Sequence, residues 1–414
     1  MITANRFILL VIFPFIIAFS LNSCKSESIE LESTLAVDML KSGEGFRVGS
    51  AVVNINPENT IGISLEGYEP RVSNGINDTL SARCIIVADN NSLVALIALD
   101  LIGISNSKVL SMKAEIKKAT GLSEENIFIH AIHTHSGPSM MDGKLDKKYR
   151  ARLNKNTANA TVQALKSMQN VKAIVKSGTS LVKTVNRRNP KRELINGFSI
   201  IEFQNEANEN VASIINFSCH PVVLGPNNKI ISADYVHYLR REVENTIGGN
   251  AVFFNGSLGN INPARSTSGN PYDRSEGNFY VAKRFGEELA NDILNNYSVS
   301  DTLSINIRAK TMKLTRYFQY TYISILDLGD MQIVMIPGEP FESFGEEIKN
   351  ILPGPHSIIM GLTNDYIGYI IPQDEWGNCS NSFISECYEE TMSGGDEIAN
   401  IIKERFRKLV FEPF

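Results

Sequence analysis

Along the chain, short runs rich in Val, Ile and Phe alternate with longer stretches whose apolar residues recur every three or four positions. The short runs predict strands at 47–55, 93–100, 126–133, 198–203, 212–217, 251–254 and 332–336. The longer stretches predict helices at 107–120, 153–168, 236–247, 280–295, 341–351 and 396–409. Strand, helix and strand in succession predict an α/β fold, a layered sheet with flanking helices and substantially parallel pairing. No repeat period and no long Gly/Ser/Pro linker interrupts this pattern. One catalytic domain over 46–414 is therefore expected, with a smaller subdomain around 300–330 left open, and 262–278 has the composition of a long surface loop.

The pattern differs at the N-terminus. Arg6 precedes an uncharged apolar run over 7–21, which ends in Leu21-Asn22-Ser23-Cys24 and turns polar at once. A positive start, an apolar core and small residues before a break predict a secretory signal over 1–23. The run is shorter than the roughly 20 residues a membrane-spanning helix needs, although an uncleaved anchor is the alternative. The Leu-x-Ser-Cys ending resembles the bacterial lipobox, which implies cleavage and lipidation at Cys24. The expected protein is then a lipoprotein of the bacterial cell envelope, tethered to the periplasmic or outer-membrane face through its acyl chains and a polar segment over 24–45.

Composition narrows the partners. With 43% hydrophobic and 21% charged residues the chain is an ordinary globular protein, and its net charge of -5 offers no basic surface for nucleic acid. Beyond Cys24 the cysteines are Cys84, Cys219, Cys379 and Cys387, none in CxxC spacing, so a zinc ribbon or thioredoxin-like motif is excluded. Cys379 and Cys387 would close a short disulfide loop in an exported protein. Cys219 has the apolar neighbours of a buried structural cysteine.

Six histidines are present, three of them in the run Ile-His130-Ala-Ile-His133-Thr-His135-Ser-Gly-Pro. If the strand over 126–133 continues, alternation puts His133 and His135 on one face and His130 on the other. His220 follows a second apolar run and precedes Pro221. Glu339, in Pro337-Gly338-Glu339-Pro340, follows a third, where it either serves a site or caps the next helix. A Gly- and Tyr-bearing segment, Gly361-Leu-Thr-Asn-Asp-Tyr-Ile-Gly-Tyr369, follows a fourth.

In order along the chain stand His-Thr-His-Ser-Gly-Pro (133–138), Asn186-Arg187, His220-Pro221, Ser-Ala-Asp-Tyr (232–235) and Asn255-Gly-Ser-Leu-Gly259. Pro337-Gly338-Glu339, Asn364-Asp-Tyr-Ile-Gly-Tyr369 and Tyr388-Glu389 complete the series. Together these segments resemble the neutral ceramidase family from about Val48 to Glu390. The resemblance implies a zinc held by His133, His220, Glu339 and Tyr369, a ligand set consistent with a catalytic zinc site. It implies that His135 orients or deprotonates the attacking water and returns a proton to the leaving amine. It gives Arg187 and Tyr388 the role of hydrogen-bond donors to the substrate carbonyl or developing oxyanion. Asp100 and Asp234 are candidate partners for the metal-bound imidazoles, although Asp234 could equally cap the helix near Val236, and Arg187, followed by Arg188, could be a surface arginine.

Three departures bear on activity. Where the family turn reads Gly-Asp-x-Ser-Pro, this chain has Gly259-Asn260-Ile261-Asn262-Pro263. Asn262 cannot act as a hydroxyl nucleophile, but it can hydrogen-bond a substrate. The interval from Tyr369 to Tyr388 looks longer than the family's. The family's C-terminal β-sandwich domain is expected to be missing, since one helix follows Tyr388. The leading expectation is a zinc-dependent amide hydrolase of ceramide or a related N-acylated lipid. The alternatives are a zinc hydrolase of another amide or ester, such as an acylated amino sugar, and a non-catalytic envelope lipoprotein that binds lipid or glycan.

Overall fold

A computed structural model of the chain describes residues 33–411, except 69, 141–146, 265–277, 317–318 and 379–386. The signal and lipidation segment with Cys24, most of the expected surface loop and Cys379 lie outside the described residues.

Two five-stranded sheets carry the fold. In the first, the strand Leu93–Leu99 lies between Ser81–Ala88 and Ile127–Ala131, and Arg47–Asn54 pairs with the far side of Ser81–Ala88. All seven residues of Leu93–Leu99 are buried, because helices cover one face of this sheet and the second sheet covers the other. A strand buried on both faces reads as one apolar run rather than an alternating one. The helices Asn106–Thr120 and Lys147–Lys166 form the outer layer. Gly49 shows how tightly they sit: a Cβ there would lie 2.0 Å from the Ala164 carbonyl oxygen of the second helix. Its neighbour Ser50 points the other way, with its Oγ accepting from Asn250 Nδ2 at 2.9 Å across the sheet interface.

In the second sheet, Gly197–Gln204 pairs with Lys172–Thr179 and Asn210–Phe217, and Asn250–Asn255 lies parallel to Asn210–Phe217. The helices Tyr235–Ile247 and Phe279–Asn295 cover its outer face. Helix, sheet, sheet and helix thus stack as four layers. A third, four-stranded sheet contains Arg308–Arg316, Gln319–Asp327, Met331–Met335 and His356–Met360. Together with the helices Glu342–Lys349 and Ile398–Phe411 it builds a second apolar core. The stretch from 300 to 330 that could have been a subdomain is therefore mostly a hairpin of this sheet, within the compact unit that spans Glu32–Phe414.

The mixed α/β class and the flanking helices agree with expectation, but the pairing does not. Antiparallel ladders dominate, and parallel pairing in the three large sheets is confined to Leu93–Leu99 with Ile127–Ala131, Asn210–Phe217 with Asn250–Asn255, and Met331–Met335 with His356–Met360. An apolar run reports burial on two faces, not strand direction. Each of these parallel pairs ends where a candidate site residue follows.

Candidate active site

The strand Ile127–Ala131 stops two residues before His133, whose φ of 72° lies in the left-handed region. A non-glycine residue held there is strained, and such strain concentrates at functional positions. The neighbouring chain holds it in place: His133 N–H donates to Leu101 O at 2.9 Å and its Nδ1–H to Ile102 O at 2.6 Å. His133 and His135 are therefore not on the face of a strand, yet they converge, with Nε2 atoms 3.2 Å apart. His130 does point away. Its Nδ1 donates to Gly361 O at 2.7 Å and its Nε2 accepts from Asn255 N–H at 3.1 Å, so it is a satisfied structural tie.

His220 arrives from the end of Asn210–Phe217, and both its N–H and its Nδ1–H donate to Ile261 O at 3.0 Å. Glu339 comes from a two-residue strand, Glu339–Pro340, paired in parallel with Tyr369–Ile370. Its Oε2 lies 3.0 Å from His220 Nε2 and 3.3 Å from His133 Nε2. Glu339 therefore faces the imidazoles and does not cap the following helix. That role falls to Asn260, whose Oδ1 accepts from Glu342 N–H at 2.9 Å. The family's acid at this turn can be an amide here because the helix terminus requires only an acceptor.

The imidazoles of His133, His135 and His220 offer nitrogens that all lie within 4.8 Å of one another. His135 Nδ1 donates to Gly67 O at 3.1 Å, and Gly67 has no room for a side chain: a Cβ would sit 2.4 Å from that nitrogen. All three rings thus set Nδ1 against a backbone carbonyl and turn Nε2 inward. Burial, with the neighbouring imidazole His133 and others, holds His135 well below the usual histidine range. Burial and Arg187 press His220 down to about 4. Glu339 is also fully buried; burial opposes its charge, but His133 and His220 hold its carboxyl well below the usual range. Three nitrogen acceptors and a carboxylate converging in a buried space are mutually unfavourable unless a cation or a proton stands among them. Carbonyl-oriented imidazoles with a carboxylate are the donor set that a divalent metal takes, and zinc accepts it readily. The residues fit the metal.

The expected tyrosine, Tyr369, is buried here, but its hydroxyl pairs with Arg187, whose guanidinium lies 5.1 Å from the Tyr369 ring centre. The tyrosine that reaches the cluster is Tyr366, whose hydroxyl donates to Glu339 Oε1 at 3.0 Å. Both belong to the segment singled out in the sequence, and a turn with positive φ at Asn364 and Gly368 decides between them. Arg187 is buried at 4% exposure rather than lying on the surface, and its Nε is 2.9 Å from Glu389 Oε1. Burial opposes its charge, but Tyr369, Glu389 and Glu339 raise its pKa above the ordinary arginine value. Tyr388 starts the short helix Tyr388–Thr391, with its ring 6.1 Å from that of Tyr369. Asn262 follows the carbonyl that orients His220, and its own buried Oδ1 has no hydrogen-bond partner.

Neither aspartate meets an imidazole of the cluster. Asp100 accepts from Arg240 Nη1 at 2.7 Å and Nη2 at 2.9 Å, and from Ser81. Asp234 accepts from the N–H groups of Val223, Leu224 and Tyr235 and caps the helix Tyr235–Ile247. Backbone carbonyls fill the place expected for carboxylates. Sequence reasoning did not single out Gly67, Tyr68 and Arg71, although the Tyr68 ring lies 5.0 Å from that of His135 and Arg71 donates to the His135 carbonyl. They belong to a hairpin, Ile61–Leu65 with Arg71–Ile76, that carries no distinctive motif. Cys84 and Cys219 are buried and outside any disulfide, as the apolar neighbours of Cys219 lead one to expect, and Cys387 is in a disulfide.

Residues 46–268 match the profile of the family described as neutral/alkaline non-lysosomal ceramidase, N-terminal. A solved structure described as ceramidase complexed with C2 superposes with a TM-score of 0.75 at 17% identity, over 89% of this chain and 75% of that one. The neutral ceramidase from Pseudomonas aeruginosa superposes with a TM-score of 0.69, also at 17% identity, over 88% of this chain and 75% of that one. No curated protein matches. The family profile covers more than half of the chain, so this chain belongs to the neutral/alkaline non-lysosomal ceramidase family.

Proposed function

We propose that the protein is a zinc-dependent amide hydrolase that cleaves the N-acyl bond of ceramide or a related N-acylated lipid. The observation that carries this reading is the convergence of His133, His135, His220 and Glu339, with the three imidazoles held by backbone carbonyls so that their Nε2 atoms turn inward. Bound there, zinc supplies Lewis-acid polarisation and lets water attack a carbonyl near neutral pH.

The ligands we assign are His133, His220 and Glu339, with Tyr366 as the tyrosine beside them. His135, neutral and fixed by Gly67, takes the proton of the attacking water and passes it to the departing amine nitrogen. Arg187, held by Glu389 and Tyr369, directs its guanidinium toward the substrate carbonyl as charge develops on oxygen. Tyr388 is the second donor. Asn262 has no nucleophilic hydroxyl, which favours attack by water over a covalent route; its unpartnered Oδ1 accepts a hydrogen bond from the substrate.

Metal analysis of the purified protein tests the reading. About one zinc per chain is expected, absent from a still-folded His133→Ala/His220→Ala variant, together with release of fatty acid from an N-acyl lipid. A protein that takes up no zinc would sink the hydrolase assignment. A lipid substrate also accords with a tether at Cys24. An acylated mature N-terminus, seen by mass spectrometry and lost in Cys24→Ala, is expected; an intact Met1 terminus would remove the tether.

A further inference from the structure

The connection that follows the strand Leu93–Leu99 serves three site residues at once. Leu101 O and Ile102 O accept from His133 N–H and Nδ1 at 2.9 and 2.6 Å. The Ile102 side chain packs on Gly67, where a Cβ would meet its Cδ1 at 2.8 Å, and Gly67 O orients His135. Asp100, held by Arg240 and Ser81, anchors the start of the connection. Its end is tied to the turn that carries Tyr366. There Asp365 Oδ1 accepts from Asn106 N–H at 2.7 Å and from Tyr366 N–H at 2.8 Å.

Gly103 lies in the middle of this connection. Its φ is outside the left-handed region that favours glycine, so φ gives no reason for a glycine here. A neighbouring ring does. A Cβ at Gly103 would stand 2.9 Å from Tyr366 Cγ and 3.1 and 3.2 Å from the two Cδ atoms. Those three distances put it over the face of the ring, almost directly above Cγ. Carbon atoms in contact sit about 3.5–4.0 Å apart, so a side chain at 103 would have to push the ring away.

The far end of that ring carries the hydroxyl that donates to Glu339 Oε1 at 3.0 Å. A hydrogen bond weakens steeply outside a narrow range of length and angle, so a displaced ring costs the buried Glu339 its donor. The same segment that aims His133 therefore also sets the tyrosine beside Glu339, through a residue with no side chain.

We propose that Gly103 is a positioning residue of this site: its bare Cα is the surface on which the Tyr366 ring rests, and that contact sets the Tyr366 hydroxyl on Glu339. The consequence for metal binding rests on the zinc reading of the site; the contact between glycine and ring does not.

Four full-length proteins test the proposal: wild type, Gly103→Ala, Tyr366→Ala and the double variant. Zinc affinity is read by competition with a chelator, and stability of the metal-free proteins by chemical denaturation. Tyr366 is only half-buried, so its truncation should leave a folded chain. Gly103→Ala should weaken zinc binding at least about tenfold, and Tyr366→Ala by about 10–100-fold. Because the added methyl acts only through the ring, the double variant should match Tyr366→Ala within about twofold. Gly103→Ala should also lower the denaturation midpoint, and removing the ring should return it to the Tyr366→Ala value. Should Gly103→Ala fail to fold, a double variant that folds like Tyr366→Ala upholds the contact, and one that also fails overturns it. Zinc affinity of Gly103→Ala within about twofold of wild type would overturn the proposal. So would a loss that adds in full to that of Tyr366→Ala, which would place the effect on His133 through the Ile102 carbonyl. A wild type that takes up no zinc would sink the zinc reading, while the denaturation midpoints would still decide whether glycine and ring are coupled.

Discussion

Asp100 and Glu339 are both completely buried, and their surroundings could hardly differ more. Asp100 meets Arg240 through two hydrogen bonds of 2.7 and 2.9 Å and Ser81 through two more of 2.8 Å, so its charge is matched and its oxygens are filled by donors. Glu339 faces the Nε2 atoms of His133 and His220, which act as acceptors in their neutral form, and receives one clear donor, the hydroxyl of Tyr366. Burial depth is the same; completeness is not. A structural carboxylate in a protein interior closes its own hydrogen-bond network, whereas a ligating one leaves its network to be closed by something that binds. The histidines repeat the contrast. His130 uses both ring nitrogens within the protein, while His133, three residues on, commits one and turns the other inward.

The contrast breaks if neutralising the two carboxylates has similar consequences. Asp100→Asn leaves Arg240, at 1% exposure, without its counter-charge, and should destabilise the fold by about 3–5 kcal/mol. Glu339→Gln removes a charge from among lone pairs and supplies an amide donor toward His220. The metal-free protein should then unfold within about 1 kcal/mol of wild type, or later, while zinc binding and hydrolysis are lost. Chemical denaturation of both metal-free proteins, with zinc titration of the folded forms, reads both arms. If Glu339→Gln were as destabilising as Asp100→Asn, Glu339 would be a structural ion-pair member and the metal assignment would lose its basis.

Much of this was legible in the chain before any coordinates. The strands Arg47–Asn54 and Leu93–Leu99 and the helices Asn106–Thr120 and Tyr235–Ile247 fall within two residues of their expected bounds, because burial of a periodic apolar face is a local property. Strand direction was not legible: a run such as Leu93–Leu99 is apolar because two layers cover it, whichever way its neighbours run. The cluster members His133, His135, His220 and Glu339 were legible as residues, and the structure brings them together. What each touches was not, since His133 leaves the strand through a positive φ that no periodicity encodes, and the orienting groups are backbone carbonyls, of Gly67, Ile102 and Ile261, which carry no side-chain signature. Asp100 and Asp234 were plausible orienting partners only while those carbonyls were out of sight. Arg71, which donates to the His135 carbonyl, gave no signal, because an isolated arginine becomes informative only when its partners are known.

The finest distinction lies between Tyr366 and Tyr369, three residues apart on a turn. The family resemblance points to Tyr369 as the metal's tyrosine, whereas the geometry places Tyr366 at Glu339 and Tyr369 against Arg187. Tyr366→Phe should weaken zinc binding by about 10–100-fold, measured by competition with a chelator, because it removes the donor that fixes Glu339. Tyr369→Phe should leave zinc affinity within about threefold and lower kcat, since it frees one side of Arg187 while Glu389 still holds the other at 2.9 Å. A reversed result, with zinc lost from Tyr369→Phe alone, would mean that the 361–370 turn rearranges when metal binds. The contrast between filled and unfilled carboxylates would survive that result, but the surroundings of Glu339 would have to be redrawn with the Arg187–Tyr369 pair broken.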